Sequence, residues 1–338
     1  MDAPVWGRLR KTMSLRQTIV RSLTVPSDVV TVNDGPRRIR EVGSTTERTR
    51  TVIASAEQLE LLVDALRVTP TGGNRFRGPT AARKLPRLFG GQVLAQALMA
   101  AGATVTVGRT PHSLHALFLR GGDPEAPVVY EVTILRDGRS YSARAVTATQ
   151  GGAVLATLQL SFATAQTGPE HEWSASPPGT TPGQLPPLGE RLEPDLAMLP
   201  AWWSDPHPFD FRFVDHPEAL ASAGTRVPEQ LFWVRAAAHV PDEPLLHTAL
   251  LTYISDLTLL DPALMPHGRS WYGNRVIAGA SIDHAMWFHR RFSMNDWMLC
   301  RQVSPIATGG RCLCTCDFTT EAGLRVASAS QEGILREP

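Results

Sequence analysis

The chain has 338 residues, of which 43% are hydrophobic and 19% are charged, and its formal net charge at pH 7 is +1. This length exceeds the size at which a single hydrophobic core usually stops growing, so we expect two domains. The near-neutral charge argues against a nucleic-acid partner, which would require a basic surface, and against attraction to anionic membranes. Because no apolar run approaches the roughly 20 residues that span a bilayer, no membrane partner is expected.

The first fifty residues are rich in arginine and poor in acidic residues. Such a segment can be a transit peptide, but no apolar core precedes a small-residue cleavage site, as it does in a secretory signal. We interpret residues 1–51 as a basic, disordered N-terminal extension, with Met13 as an alternative start. The chain ends in Arg-Glu-Pro, which matches no peroxisomal or retention signal, so the predicted location is the cytoplasm.

A helix and four strands are predicted in the first half of the chain. Residues 90–101 (GGQVLAQALMAA) are apolar on nearly every face, so this helix must be buried. Strand-like segments follow at 113–119, 128–135, 140–150 and 153–162, the last two joined by a Gly-Gly turn. A buried helix followed by an antiparallel meander indicates a curved sheet around a central helix.

Residues 167–200 are dense in Pro, Gly, Ser and Thr. Such a composition is unsuited to a helix interior or a central strand. We therefore predict a linker at 167–200 between an N-terminal domain at 52–166 and a C-terminal domain at 201–338.

The second half repeats the element order of the first. Residues 245–260 (LLHTALLTYISDLTLL) form a second strongly apolar helix, and strand-like segments follow at 282–292, 297–304, 310–319 and 325–334. A repeated order of elements indicates two copies of one domain. A sheet wrapped around a long helix, twice over, predicts an α+β protein with the double hotdog fold.

Asp256 is the residue that the sequence marks out for chemistry. The chain contains no G-x-S-x-G elbow, P-loop, G-x-G-x-x-G or H-E-x-x-H motif, which disfavours serine hydrolases, nucleotide-binding proteins and zinc proteases. Asp256 lies late in the second apolar helix, where burial would raise the pKa of its carboxyl and improve it as a base. A capping aspartate for the turn before Asp261-Pro262 is the alternative, and this residue alone leaves both open.

No metal site is predicted. Cys312, Cys314 and Cys316 alternate along one strand and share a face, so we interpret them as buried free cysteines, typical of a reducing compartment. The histidines in or beside strands have spacings of no recognisable metal site, and we interpret them as hydrogen-bonded core or interface residues; they are His112, His115, His284 and His289.

At residues 87–98 (RLFGGQVLAQAL) the chain resembles the type II acyl-CoA thioesterases, the TesB-like family. The likeness runs in collinear order from about Ile53 to the C-terminus. Its further motifs are 112–115 (HSLH), 136–140 (RDGRS), 253–256 (YISD), 266–268 (PHG), 282–290 (IDHAMWFHR) and 331–333 (QEG). Their joint order and spacing are specific, although no single motif is diagnostic.

This resemblance implies a double hotdog fold and the hydrolysis of acyl-CoA to free acid and coenzyme A. The family's Asp, hydroxyl residue and Gln, which hold the attacking water, correspond to Asp256, Ser281 and Gln331. Many members have Thr where this chain has Ser281, and Ser retains the hydroxyl with a less restricted rotamer. The resemblance implies no metal or other cofactor.

The implied mechanism is water attack without a covalent intermediate. Asp256 would accept a proton from water that Ser281 and Gln331 position. Gly90, Gly91 and Gln92 begin a buried helix, whose free N–H groups would stabilise the oxyanion. A rival assignment makes His284 the base with Asp283 orienting it, although adjacent strand residues face opposite ways.

Two other functions are considered as alternatives to the thioesterase. One is a hotdog enoyl-CoA hydratase, which needs an Asp and a His together near a helix start. The other is a non-catalytic acyl-CoA-binding protein, against which Asp256, Ser281 and Gln331 count. In each case the expected partner is acyl-CoA, and a homo-oligomer is expected because hotdog sheets often pair.

Overall fold

A computed structural model describes residues 54–80, 87–173, 179–192, 205–214, 227–271 and 277–336, and the predicted extension at 1–51 lies outside these ranges. The helices are α1 (Ala56–Leu66), α2 (Gly90–Gly102), α3 (Leu188–Leu192) and α4 (Pro244–Ser255). The strands are β1 (Thr69–Gly72), β2 (Arg75–Gly78), β3 (Thr110–Phe118), β4 (Val128–Asp137), β5 (Tyr141–Gln150), β6 (Ala153–Ala163), β7 (Phe209–Phe213), β8 (Glu229–Ala236), β9 (Ala278–Ser281), β10 (Asp283–Phe288), β11 (Met298–Thr308), β12 (Arg311–Thr320) and β13 (Arg325–Arg336).

All of these strands belong to one sheet that continues through both halves of the chain. Its order is β1-β2-β4-β5-β6-β3-β10-β13-β12-β11-β8-β7, with β9 pairing to β13 beside β10. The two halves join where β3 pairs antiparallel with β10, so that Leu114 lies opposite Met286. The fold is the predicted α+β double hotdog, one helix and one half of the sheet from each repeat.

The predicted meander is wrong in one respect. β3 pairs with β6 and not with β4, and β10 pairs with β13 and not with β11, giving the orders β3-β6-β5-β4 and β10-β13-β12-β11. The three later strands of each half are joined by hairpins, which leaves one edge of β6 and of β13 free for the first strand. This order puts β3 and β10 at the centre, where they can pair with each other.

The two long helices lie against each other at both ends. A Cβ on Gly91, near the start of α2, would lie 2.4 Å from the backbone oxygen of Tyr253 near the end of α4. A Cβ on Gly102, at the other end of α2, would lie 2.5 Å from Leu245. Glycine permits this close approach because it has no side chain. The antiparallel contact therefore sets the start of α2 beside the end of α4.

Helix α4 ends at Ser255 and is shorter than the predicted helix at 245–260. Asp256 is its C-cap residue, and short 3₁₀ helices follow at Asp261–Ala263 and Met265–His267. Pro262 supplies no backbone N–H and disfavours the α conformation at the residue before it, so a regular helix cannot continue past this point. Asp256 lies before this point, at the end of α4, where its carboxylate can reach groups outside the helix.

Residues 179–192, within the predicted linker, form a 3₁₀ turn at Pro182–Gln184 and then α3. They run along the outer strands of the second half: the indole of Trp233 donates to the backbone oxygen of Thr180 at 3.1 Å, and Arg212 donates to that of Leu185 at 2.9 Å. The domain boundaries at 52–166, 167–200 and 201–338 remain a prediction.

All four cysteines are free and buried, and Cys312, Cys314 and Cys316 occupy the inward face of β12, as predicted. None of the helices in the described ranges is both long and apolar enough to cross a bilayer.

Candidate active site

The candidate site forms where the start of α2 meets the end of α4. A Cβ on Gly90 would lie 2.6 Å from Oδ2 of Asp256, so the carboxylate rests directly against the helix start. The backbone N–H of Gly91 also hydrogen-bonds this carboxylate. A helix N-terminus favours negative charge because its first N–H groups have no partner within the helix.

Two further side chains link to Asp256 in series. Ser281, the last residue of β9, donates its hydroxyl hydrogen to Oδ1 of Asp256 at 3.1 Å. Gln331, in β13, donates from Nε2 to the Ser281 hydroxyl at 2.7 Å. The structure therefore brings together Asp256, Ser281 and Gln331, which are separated by up to 75 positions in the chain (331 minus 256).

The carboxyl of Asp256 has a raised pKa. It keeps some solvent exposure, yet enough protein surrounds it that desolvation is the largest influence and raises the pKa above the ordinary 3.8. The neighbouring His284, Gln331, Ser281 and Gly91 lower the pKa without cancelling this effect. A carboxylate with a raised pKa holds a proton more readily, which suits it to act as a general base.

His284 and Ser255 extend this network; His284 was expected at the site only as the rival base, and no role was predicted for Ser255. Nδ1 of His284 is hydrogen-bonded to Oε1 of Gln331, and its Nε2 lies 2.9 Å from the Ser255 hydroxyl. The interpretation of His284 as a hydrogen-bonded core residue is confirmed, but its partners are site residues. Burial lowers the pKa of this imidazole, so its neutral form is favoured.

A register change explains why Ser281 and His284, three positions apart, face the same side. β13 pairs Gly333 with Ser281 but Ser330 with Ala285, so the pairing slips by one residue between β9 and β10. Strict alternation would have placed the two side chains on opposite faces. A sequence pattern does not reveal such a bulge. The three-residue spacing of Ser281 and His284 showed only that the two residues are close in the chain.

The rival assignment, in which Asp283 orients His284, is wrong. Oδ1 of Asp283 accepts a hydrogen bond from the backbone N–H of Glu332 at 2.7 Å. Both ring nitrogens of His284 are meanwhile engaged by Gln331 and Ser255. The two adjacent side chains diverge, as residues on a strand do.

The helix start contains Gly90, Gly91 and Gln92, as expected. Their backbone N–H groups differ in whether they can hydrogen-bond a ligand. The helical hydrogen bonds begin with Val93, which donates to the backbone oxygen of Phe89 at 3.3 Å. The N–H of Gly91 is directed at Asp256, whereas those of Gly90 and Gln92 have no acceptor among the residues that the structure describes and can face a ligand. The side chain of Gln92 is buried and donates to the backbone oxygen of Pro79 at 3.1 Å, so only its backbone can serve the site.

No group of three or more His, Cys, Asp or Glu side chains in the part of the chain that the structure describes is arranged to hold a metal ion. The donors around Asp256 are a hydroxyl, an amide and backbone N–H groups. Such a set can position a polar molecule against a carboxylate.

Two protein families match the chain in its two halves. The family described as acyl-CoA thioesterase matches residues 205–334, and the acyl-CoA thioesterase N-terminal domain matches residues 80–163. Among curated proteins, the human "Acyl-coenzyme A thioesterase 8" is 34% identical over 295 residues, covering 82% of this chain and 89% of that protein. "Acyl-CoA thioesterase 2" of Haemophilus influenzae is 32% identical over 285 residues, covering 82% of this chain and 98% of that protein.

Solved structures give the same result. The acyl-CoA thioesterase II TesB2 from Mycobacterium marinum is 37% identical, with a TM-score of 0.68, and the match covers 82% of this chain and 98% of that one. A tesB protein from Mycobacterium avium subspecies paratuberculosis is 30% identical, with a TM-score of 0.67, covering 82% and 99%.

Proposed function

Because this chain belongs to the acyl-CoA thioesterase family and is a thioester hydrolase, we propose that Asp256 activates a water molecule that attacks the acyl-CoA carbonyl directly. The observation that carries this proposal is the direction of the hydrogen bonds around the carboxylate. Gln331 donates to Ser281, and Ser281 donates to Asp256. These donors hold the carboxylate in place and leave the remaining acceptor capacity of Asp256 for a proton from water.

The proposed reaction has two stages. Asp256 takes a proton from water as the oxygen bonds to the thioester carbon, and the negative charge on the carbonyl oxygen is stabilised by N–H groups of Gly90 and Gln92. The carbon–sulfur bond then breaks, and Asp256 returns the proton to the sulfur of coenzyme A. The products are a free acid and coenzyme A, and the enzyme ends with its carboxylate ionised. No acyl group is attached to the protein at any stage.

The proposed substrates are fatty acyl-CoAs, and the proposed setting is a homo-oligomer in the cytoplasm. Size-exclusion chromatography with light scattering measures the mass of the protein in solution and tests the oligomeric state, since a mass of 36.8 kDa would mean a monomer. Cell fractionation tests the location.

Thiol release from a panel of acyl-CoAs tests the proposed mechanism in wild type and Asp256→Asn. Asparagine keeps the shape but cannot accept a proton, so kcat should fall by about 100-fold or more, with KM little changed. Asp283→Asn is the matched control, because its Oδ1 can still accept from the N–H of Glu332; we expect it to keep wild-type turnover.

Equal activity of Asp256→Asn and wild type would discard the proposed base. Hydration of an enoyl-CoA without thiol release would support the rival hydratase, and tight acyl-CoA binding without turnover would support the binding protein.

A further inference from the structure

The amide of Gln331 lies between two partners and can face them in two ways. In the arrangement of the structure, Nε2 donates to Ser281 at 2.7 Å and Oε1 accepts from His284. If the amide were turned over, Oε1 would face Ser281 and take the hydrogen that now goes to Asp256. Since an amide oxygen only accepts and an amide nitrogen only donates, the orientation of Gln331 decides whether Asp256 receives the Ser281 hydrogen bond.

His284, the partner of the amide oxygen of Gln331, must therefore be a donor. Oε1 of Gln331 accepts only, so Nδ1 of His284 carries the hydrogen of that contact. In neutral imidazole this leaves Nε2 as an acceptor. The Ser255 hydroxyl lies 2.9 Å from Nε2 and 2.8 Å from the backbone oxygen of Thr252, and these two acceptors share its single hydrogen. Ser255 is the last residue of α4, directly before Asp256. The same helix end thus supplies the carboxylate and the support for the imidazole.

Both His284 and Gln331 are only 1% exposed, so solvent cannot replace a lost partner. In the described part of the chain, Oε1 of Gln331 has no donor other than His284. A buried carbonyl without a donor is costly, and an amide without a fixed partner loses its preferred orientation.

We propose that His284 is a positioning residue, whose Nδ1–H holds the Gln331 amide in the orientation that directs the Ser281 hydroxyl onto Asp256. This inference rests on the proposed function, because it concerns the same carboxylate and the same water. His284 does not act as a base, since both of its ring nitrogens are engaged and Gln331 and Ser281 separate it from Asp256.

Two replacements of His284 that have nearly the same shape as each other separate the effect of the hydrogen bond from the effect of side-chain shape. The Nδ2 of asparagine occupies the side-chain position of Nδ1 and can donate in its place, whereas leucine has the shape of asparagine without a donor. We expect His284→Leu to lower kcat by about tenfold to a hundredfold with little change in KM, and His284→Asn to keep it within about threefold. Thermal unfolding of each variant reports whether the fold is retained.

A double-mutant cycle tests whether His284 acts through Gln331. In a Gln331→Ala background there is no amide to orient, so His284→Leu should lower kcat by no more than about twofold. A role in general packing would instead lower kcat in both backgrounds alike.

A third measurement uses the unaltered protein and does not depend on the folding of any variant. With ¹⁵N-labelled histidine, NMR at neutral pH should show His284 as the neutral tautomer with hydrogen on Nδ1.

Each readout has a result that overturns the inference. These results are wild-type kcat in a folded His284→Leu, equal losses in the Asn and Leu variants, a loss in the Gln331→Ala background as large as in wild type, or hydrogen on Nε2 alone. Failure of the proposed function is distinguishable, because it would show as wild-type activity in Asp256→Asn or Gln331→Ala.

Discussion

At the scale of single residues, the protonation state of Asp256 should control the pH dependence of turnover. The reaction requires the carboxylate, and burial raises its pKa above 3.8, so kcat/KM should fall as pH decreases through that raised value. The Ser281 hydrogen bond lowers this pKa. Removing it in Ser281→Ala should therefore move the acidic limb of the pH profile to higher pH, besides lowering the rate.

The profile of kcat/KM against pH for both proteins checks this expectation. Ser293→Ala, in the turn between β10 and β11, is the control and should leave the limb unchanged. A limb that stays in place or moves to lower pH in Ser281→Ala would mean that another group controls the reaction.

Asp261 is a second buried carboxyl with an effect on stability. Its Oδ1 accepts from the indole N–H of Trp271 at 2.8 Å, and burial raises its pKa to about 7. Between its ordinary value of 3.8 and about 7, the folded state holds the proton more tightly than the unfolded state. The folded state therefore loses stability as pH rises through this window, and the loss is complete above it.

Asp261→Asn should remove this loss, because asparagine keeps the acceptor for Trp271 and never ionises. We expect a free energy of unfolding close to wild type near pH 4 and higher than wild type at pH 8, measured by denaturant titration. Asp242→Asn, at an exposed ion pair with Arg291, is the control. Parallel stability curves for wild type and Asp261→Asn would contradict the assignment.

At the scale of helices and strands, the contact between α2 and α4 makes a prediction about two adjacent glycines. A Cβ on Gly91 would meet the backbone oxygen of Tyr253 at 2.4 Å, which cannot move without shifting α4. A Cβ on Gly90 would meet Oδ2 of Asp256 at 2.6 Å, the far end of a side chain. Gly91→Ala should thus destabilise the fold by about 1–3 kcal/mol, whereas Gly90→Ala should chiefly lower kcat.

Thermal unfolding and thiol release, measured on both variants, separate the two effects. Gly168→Ala is the matched control, because nothing lies within 4 Å of its added Cβ. Equal loss of stability in Gly90→Ala and Gly91→Ala would contradict this description of the helix contact.

The sequence predicts the strongly apolar elements well and the geometry between them poorly. Helix α2 begins at Gly90 as expected, because a segment apolar on every face has to be buried. The end of α4, the slip in pairing beside Ser281 and the pairing of β3 with β10 depend on tertiary contacts that a local pattern does not encode. Asp256 was identified from its place in an apolar helix, whereas Ser281 and Gln331 came from the resemblance, and His284 was predicted only as a core residue or as the rival base.

At the scale of the whole molecule, the candidate site depends on both halves of the chain. Gly90 and Gly91 come from the first half, and Asp256, Ser281 and Gln331 come from the second. The halves share one sheet through β3 and β10, and their long helices are in contact. Loss of packing in either half should therefore weaken the same folded unit.

Leu94 in α2 and Leu250 in α4 are both fully buried. We expect Leu94→Ala and Leu250→Ala each to lower the free energy of unfolding by about 2–5 kcal/mol, within one cooperative transition. Circular dichroism and tryptophan fluorescence should follow that transition together. Leu61→Ala, at a partly exposed position on α1, should have a smaller effect. Two separate transitions would show that the halves unfold independently.

In the proposed mechanism, water attacks acyl-CoA directly with Asp256 as the base. The measurement that tests it most directly is a single turnover in ¹⁸O-labelled water, with enzyme in excess over acyl-CoA, following coenzyme A, free acid and the mass of the protein together. We predict that coenzyme A and acid form at the same rate, that the acid carries ¹⁸O from this first turnover, and that the protein gains no mass. Coenzyme A released ahead of the acid, with an acyl group on the peptide that contains Asp256, would show that Asp256 attacks the thioester as a nucleophile.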